Sequence, residues 1–468
     1  MPISSNNPAC IRPHEGNDEP ATCTERHVGK QVLVRVNDRD QVVRSLVRTI
    51  HANGAVGITA FVESHPGFPR SIGGSRIITL KSESANSDVR ERMVANATEE
   101  VTKLAAGMAS KAPAAGIPAS GQKTVVLWPD APDDAASKAG LLAAHYREVL
   151  REEPGAIFGP DMNVGEEVQD LLADRPSLLD HLTGLSVGRG LGIDTMGYTG
   201  RALVSALDAW PGAKLCQTIG VQGFGAVGAW AARELLEQAP WRRVVAISNQ
   251  LGTAHCVGGL PVDRFFEAWK TASSAEAADV AIRDLARSAS GIDWQDNPNH
   301  IWTIPIDLLV PAARTSVLRA NDESCERDNA YPVEQWAEES GVKAVLQGAN
   351  APLTRRAEDW LSAHGVALFP DFIVNSGGLW GCWLEWAWRD ALDSRRINAQ
   401  ELDQRARCVI ARSIKRNISE VLACSGSSRD AANQLKARSL HAVASLWERL
   451  TAEGVHERAR EHAEQFAS

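Results

Sequence analysis

The stretch TIGVQGFGAVG at residues 218–228 decides the fold. It reads as a buried strand, TIGVQ, running into Gly223-x-Gly225-x-x-Gly228 and then into the helical run AWAARELLEQA. A dinucleotide fingerprint needs that strand–turn–helix context. The first glycine permits a tight turn, the second lets backbone approach a pyrophosphate, and the third lets helix and strand pack closely. The helix N-terminus adds free N–H groups and the positive end of a dipole. Gly223, Phe224, Gly225, Ala226, Val227 and Gly228 are therefore candidate cofactor contacts. Glycine makes up 37 of 468 residues, so chance is the competing reading, and the flanking strand and helix argue against it. An acidic residue about 20 positions past the last glycine normally binds the adenosine ribose. Here the second strand, RRVVAIS, ends at Ser248, followed by Asn249 and Gln250. Without that carboxylate a 2′-phosphate is not repelled, and NAD and NADP both stay open. Ser248 and Asn249 are the residues expected at the ribose, with Arg242 or Arg243 expected close by.

A chain of 468 residues is too long for one ordinary core, so two domains are expected. Apolar residues at 44% and charged residues at 23% describe a soluble globular protein. A net charge of −9 argues against nucleic acid or an anionic membrane as partner. No apolar run approaches 18 residues, and the first 20 residues lack the basic and apolar regions of a signal peptide. The eight cysteines have no CxxC spacing, which reads as reduced thiols in a cytoplasmic protein with no metal site.

The expected class is α/β with two domains and a cleft between them. Residues 1–28 read as a disordered tail. Residues 29–210 read as an α/β substrate domain, 211–378 as a Rossmann domain, and 379–468 as helices packing back on the first domain. Within 30–80 the run VVRSLVRTIHANG is helix-like, while VGITAFVES and SRIITLK are strand-like. Residues 88–110 and about 136–152 read as helices, TVVLWP as a buried strand, and GAIFGPDMNVG as turn-rich. VVAIS, DLLVP, AVLQG and ALFPD read as strands of one parallel sheet.

Lys111 and Lys123 stand twelve residues apart, at the end of a helix and the start of a buried strand. Among small apolar groups a lysine loses solvation, its pKa falls, and its neutral amine can act as a base. The competing reading is two solvated surface lysines.

The segment with these lysines resembles the substrate and catalytic lysine motif of the glutamate/leucine/phenylalanine/valine dehydrogenase superfamily. Ile72-Gly-Gly-Ser-Arg76 resembles its GG-x-R element, and Gly159-Pro-Asp161 its aspartate loop. Tyr198-Thr-Gly-Arg201 resembles ATGRG, and residues 221–228 are similar to its cofactor fingerprint. Asp307-Leu-Leu-Val-Pro-Ala-Ala313, Gly348-Ala-Asn-Ala-Pro-Leu-Thr354 and Pro370-Asp-Phe-Ile-Val-Asn-Ser-Gly-Gly-Leu379 resemble three further elements, in family order. The resemblance implies that Lys123 is the general base toward water attacking an imine and that Asp161 shuttles the proton. A loop-capping role is the other reading of Asp161. Lys111 would hold the substrate α-carboxylate. Thr199, Ala312, Ala313, Asn350 and Asn375 would lie along the NAD or NADP molecule, and Gly73 and Gly74 beside the substrate. The implied reaction is reversible oxidative deamination of an L-amino acid to a 2-oxo acid and ammonium, in a homo-oligomer.

The side-chain pocket departs from glutamate dehydrogenases. Ile72 stands where those carry a lysine, and Cys382 where they carry a serine. Neither neutralises a buried carboxylate, which disfavours glutamate. Gly159 and Leu379 form the pairing of the phenylalanine- and tryptophan-specific relatives, which points to a bulky, aromatic L-amino acid. GGGK or GGAK has become Ser120-Gly-Gln-Lys123, and NAGGV has become NSGGL. Trp380, Trp383, Trp386 and Trp388 either line the pocket or form helix core. The alternative function is an inactive family member that binds an amino acid or nucleotide as a regulatory subunit.

Overall fold

The computed structural model describes residues 23–36, 39–68, 70–80, 87–323, 330–424, 427–447 and 455–465. The first sheet combines β1 (Cys23–Val36), β2 (Arg39–His51), β3 (Val56–Val62) and β4 (Ser71–Leu80) with two later strands. After β4 come α1 (Ser87–Ala115), β5 (Ser120–Pro129), α2 (Ala135–Glu152), β6 (Ala156–Gly159), α3 (Glu166–Ala173) and α4 (Tyr198–Ser205). The strand order is β1-β2-β3-β5-β4-β6. Pairing is antiparallel from β1 through β5 and parallel from β5 through β6.

Helices cover both faces. Val125 and Leu127 of β5 join α1 residues Val94, Ala97, Val101 and Ala105 in one core. Val126 and Trp128 join α2 residues Ala139, Leu142 and Tyr146 in another. Strand alternation thus sends successive β5 side chains to opposite helices. Gly121 lets α1 sit against the strand, since a Cβ there would lie 2.1 Å from the Ala105 carbonyl oxygen.

Three local readings change. VVRSLVRTIH is strand β2, not helix: Val43, Ser45, Val47 and Thr49 are buried and the residues between them half-buried. Within the turn-rich segment AIFG forms β6, pairing with β4. β1 begins at Cys23, inside the stretch expected to be tail, whose first 22 residues lie outside the described ones.

The second sheet is built from β7 (Thr218–Gln222), β8 (Arg243–Ser248), β9 (Thr253–His255), β10 (Asp293–Gln295), β11 (Leu308–Pro311), β14 (Ala344–Leu346) and β15 (Ala367–Phe369), with β12 (Leu318–Arg319) and β13 (Tyr331–Pro332) pairing apart from it. Its order is β10-β9-β8-β7-β11-β14-β15, with β8, β7, β11, β14 and β15 all parallel. These are the strands expected from VVAIS, DLLVP, AVLQG and ALFPD. The connecting helices are α5 (Ala226–Gln238), α6 (Val262–Lys270), α7 (Ala275–Ser288), α8 (Val333–Ser340) and α9 (Arg355–Ala363). The order reverses between β7 and β11, the switch point where α/β sheets bind ligands beyond their strand ends.

The chain then runs through α10 (Asp371–Val374), α11 (Gly377–Ala387), α12 (Arg389–Asp393), α13 (Ala399–Ala423), α14 (Ser428–Trp447) and α15 (Val455–Glu464). On α13, Ser413 Oγ and Asn417 Nδ2 donate to the Ala115 and Ala114 carbonyls, capping the C-terminus of α1. On α14, Val443 and Ala444 pack with Phe68. Trp380, Trp383 and Trp386 are fully buried, so the tryptophan group is helix core. Among the described residues no helix is long and apolar enough to cross a membrane.

Candidate active site

Lys123 points toward α1, where Lys111 sits in the last turns. Its Nζ lies 2.5 Å from Asp161 Oδ2, and Arg76 Nε donates to the same oxygen at 2.8 Å. Parallel pairing of β4 with both neighbours sets Gly74 opposite Gly159 on one side and level with Lys123 on the other. A Cβ at Gly74 would lie 3.1 Å from Lys123 Nζ and 2.6 Å from the Pro160 carbonyl oxygen. At Gly73 it would lie 1.8 Å from the Gln122 carbonyl oxygen. Gly74 thus keeps space at the amine, while Gly73 lets two strands approach.

Burial lowers the Lys123 pKa against the opposing pull of Asp161. Burial works to raise the Asp161 carboxyl, but Lys123 and Arg76 outweigh it and hold it below the ordinary range. Burial brings Lys111 down to about 8. Both lysines can therefore give up a proton far more readily than solvated ones. The pair can store one proton between amine and carboxylate. Arg76, which the sequence quoted only as part of a motif, is the further residue that keeps Asp161 charged.

Across the cleft, Lys111 Nζ donates to Asn350 Oδ1 at 3.1 Å, and Asn375 Nδ2 donates to the same oxygen at 3.1 Å. The Asn375 Oδ1 is buried without a partner, an acceptor open to a donor such as a carboxamide. Ala351, beside Asn350, has φ +42 and is held by its N–H to Asp371 Oδ2 at 2.9 Å. Arg429 of α14 pairs with Asp371 at 2.7 Å and also with Glu358, so the C-terminal helices fix this turn.

The fingerprint glycines differ in what surrounds them. Gly223 has φ +93, and a Cβ there would lie 2.6 Å from Ala313. At Gly228 it would lie 2.0 Å from the Gly223 carbonyl oxygen. Gly225, the N-cap of α5, has nothing within 4 Å, and with exposed Ala226 it leaves a cradle that fits a pyrophosphate. Val227 is half-buried, while Phe224 is buried against Phe265 at 6.3 Å. Ala312 donates its N–H to the Gln222 carbonyl at 2.7 Å beside the exposed Ala313. Thr199 faces the α11 glycines, its Oγ1 lying 2.6 Å from a Cβ placed at Gly378.

The ribose end differs from expectation. β8 ends at Ser248 as read, but Ser248 and Asn249 are buried. Asn249 Oδ1 accepts from the Leu251 and Gly252 N–H groups, and its Nδ2 donates to the Asp279 carbonyl at 3.1 Å. It shapes the turn, and Gln250 is the exposed residue there. Arg243 starts β8 and so stands at the far end of the strand, and the buried Arg242 donates to the Ala213 carbonyl. Neither arginine meets Ser248.

Around the expected side-chain pocket, a Cβ at Gly159 would lie 3.5 Å from Cys382 Sγ and 3.6 Å from Thr183 Cγ2. Ile72 and Leu379 are buried in one apolar core with Trp380. Burial raises the Cys382 thiol pKa, so it stays neutral.

A family profile described as Glutamate/Leucine/Phenylalanine/Valine dehydrogenase matches residues 194–446. NADP-specific glutamate dehydrogenase A1 of Halobacterium salinarum is 28% identical over 302 residues, 62% of this chain and 66% of that protein. NADP(+)-dependent glutamate dehydrogenase of Pyrobaculum calidifontis is 30% identical over 193 residues, 39% of this chain and 40% of that protein. The chain thus spans just under two thirds, or less, of these relatives. The hetero-hexameric glutamate dehydrogenase of Thermus thermophilus in its Leu-bound form shares the fold, with TM-score 0.60 at 19% identity over 90% of this chain and 89% of that one. Plasmodium falciparum glutamate dehydrogenase does so with TM-score 0.62 at 18% identity, covering 91% and 83%. With more than half its length matched by the profile, the chain belongs to the Glutamate/Leucine/Phenylalanine/Valine dehydrogenase family.

Proposed function

We propose that the protein catalyses NAD(P)-dependent oxidative deamination of an L-amino acid: amino acid, NAD(P)⁺ and water give 2-oxo acid, ammonium, NAD(P)H and a proton, reversibly. The single observation that carries this is the Lys123–Asp161 pair at 2.5 Å, buried beside two glycines and facing Lys111. Lys111 holds the substrate α-carboxylate. The dinucleotide, when bound, supplies the hydride acceptor. Lys123, its pKa lowered by burial, takes a proton from the water that attacks the imine carbon, and Asp161 receives and returns it.

The finer reading is a neutral, bulky and aromatic side chain. It rests on pocket residues alone: buried Ile72 and Leu379, a neutral Cys382 thiol, and Gly159 leaving room beside it. The relatives named above are glutamate dehydrogenases, so glutamate is the substrate to beat. NADP is the cofactor named for both sequence relatives, and the lack of an acid at the end of β8 is compatible with it. A homo-oligomer in the cytoplasm belongs to the same proposal. A hetero-hexameric neighbour supports assembly into an oligomer, and five free cysteines among those whose side chains are described support a reducing compartment.

The test is a panel of L-amino acids with each cofactor, followed at 340 nm. Turnover highest on tryptophan, tyrosine or phenylalanine supports the full proposal. Turnover highest on glutamate keeps the deamination and overturns the pocket reading. Binding without turnover on any amino acid or 2-oxo acid supports the regulatory alternative.

A further inference from the structure

Helix α14 touches both sides of the cleft. On the substrate side, Ala431, Ala432 and Leu435 are buried in one core with Ala112 and Ala114 of α1. Lys436 Nζ donates to Ser110 Oγ at 3.4 Å, one residue before Lys111. On the cofactor side, Arg429 in the first turn of α14 enters a group of buried polar side chains. Its Nη1 donates to Asp371 Oδ1 at 2.7 Å, its Nε to Glu358 Oε2 at 2.8 Å and its Nη2 to Gln347 Oε1 at 3.2 Å. Gln347 Nε2 donates in turn to Glu358 Oε1 at 2.8 Å, and the guanidinium lies 5.0 Å from the Phe372 ring.

The side chains of Arg429, Asp371 and Glu358 are only 15%, 9% and 3% exposed. Burying three charges gains little stability over apolar packing of the same volume, because lost hydration cancels most of the attraction. What such a group adds is geometry, since a planar fork that meets two carboxylates fixes where each one points. Asp371 passes that geometry on. Its other oxygen, Oδ2, accepts the Ala351 N–H at 2.9 Å, and its backbone carbonyl accepts the Asn375 N–H at 2.8 Å. Ala351 stands at φ +42, a conformation that a residue with a Cβ keeps only when its surroundings impose it. The residue before it is Asn350, whose Oδ1 meets both Lys111 Nζ and Asn375 Nδ2 at 3.1 Å. Hydrogen bonds and one peptide step thus connect Arg429 to the lysine expected to hold the substrate. Burial works to raise the Asp371 carboxyl, but Arg429, the Ala351 N–H and Lys111 outweigh it and keep it charged.

We propose that Arg429 is a positioning residue of the amino-acid site: through Asp371 it holds the Asn350 turn against Lys111, so that the ammonium group is already placed when the substrate α-carboxylate arrives. This rests on the deamination reading for the identity of the ligand and adds to it a determinant on the C-terminal helices.

The experiment compares the full chain with Arg429→Ala, Arg429→Lys and Arg355→Ala. Arg355 bonds Ser427 Oγ at 3.1 Å and Asp430 Oδ2 at 2.7 Å at the same end of α14, so its loss loosens that helix end while Asp371 keeps its partners. KM, kcat and calorimetric Kd are read for tryptophan, phenylalanine, leucine and glutamate. Arg429→Ala should raise KM and Kd about tenfold for each amino acid that the wild type binds, with kcat within about threefold, because the Lys123–Asp161 pair is held by other elements. Millimolar guanidinium chloride, far below denaturing concentrations, should restore most of the loss. Arg429→Lys keeps the charge without the fork and should fall between alanine and wild type, and Arg355→Ala should match the wild type. Unchanged Kd in Arg429→Ala, an equal loss in Arg355→Ala, or a loss that guanidinium leaves in place overturns the proposal. If the alanine variant does not fold, the lysine variant decides, and wild-type Kd and KM there overturn it. A Kd loss of the expected pattern with no turnover in any form upholds it while the deamination reading falls. Wild-type Kd throughout with active enzyme has the opposite meaning, and a wild type that binds none of the four overturns both.

Discussion

Lys123 and Thr124 are consecutive on β5 and face opposite helices, and the two faces bury titratable groups by opposite means. Toward α1, Lys123 is paired with a charged carboxylate in a cleft that also holds Lys111. Toward α2, Thr124 Oγ1 meets Thr59 Oγ1 at 2.8 Å, and Thr59 meets His145 Nε2 at 2.8 Å. The other ring nitrogen of His145 meets Thr49 Oγ1 at 2.7 Å, which in turn meets His51 at 3.0 Å. His145 is fully buried, no acid is paired with it, and burial pushes its pKa down to about 3. A buried lysine kept beside a carboxylate is poised to move a proton. A buried histidine satisfied by hydroxyls is locked neutral. On the proposed reaction the first arrangement does chemistry, while the second is scaffold.

The largest test of this contrast is Lys123→Ala. It should lower kcat by about 10²–10⁴-fold, the usual contribution of a positioned base. Cofactor affinity, read by quenching of tryptophan fluorescence, should stay within about twofold, because the dinucleotide cradle is built by the other sheet. A variant retaining a tenth of the wild-type rate would remove Lys123 from the mechanism.

His145→Ala should behave in the opposite way. It opens a cavity and strands the Thr49 and Thr59 hydroxyls, at about 2–4 kcal/mol of stability measured by denaturant unfolding, with kcat per folded enzyme unchanged. Loss of rate without loss of stability would place the hydroxyl network in the reaction. Acid should reveal the same residue. Unfolded, His145 takes up a proton near 6.5; folded, it resists down to about 3. Between these values the unfolded state binds more protons, so stability falls as pH drops, at up to about 1.4 kcal/mol per pH unit from this group. His51 and His462 are shifted in the same direction and add to the slope. Melting temperatures from pH 7 to 5 should therefore fall less steeply in His145→Gln, and parallel curves would show that His145 titrates normally.

Local features were legible in the sequence and long-range ones were not. The fingerprint glycines, the end of β8 at Ser248 and the four parallel strands were read because each depends on adjacent residues. Lys111 and Lys123 were found through motif resemblance, and the structure adds that they share one face. β2 misled because its apolar residues at 43, 46, 47 and 50 also fit helical spacing, and only its pairing with β1 and β3 decides. Arg76 was visible only as part of a motif and its partner was not, since the loop that brings Asp161 to it lies 85 residues along the chain. His145 shows the reverse limit. Gly57 is a glycine because a Cβ there would lie 2.5 Å from the His145 ring, a constraint no periodicity expresses.

Gly159→Ala gives the smallest effect and the sharpest view of the catalytic face. The added methyl would lie 3.5 Å from Cys382 Sγ and 3.6 Å from Thr183 Cγ2, ordinary contact distances, and Gly159 has no positive φ. The fold should therefore accept alanine with its melting temperature nearly unchanged. The methyl stands where the substrate ring is expected, so it should cost aromatic amino acids about 1–3 kcal/mol in kcat/KM relative to leucine or valine. That selective loss, measured beside an unchanged Lys123–Asp161 chemistry on the smaller substrates, would separate the pocket from the proton-transfer pair. An equal loss on every substrate would mean that Gly159 positions the loop carrying Asp161, and the aromatic reading would then lose its main support while the contrast between the two faces of β5 would stand.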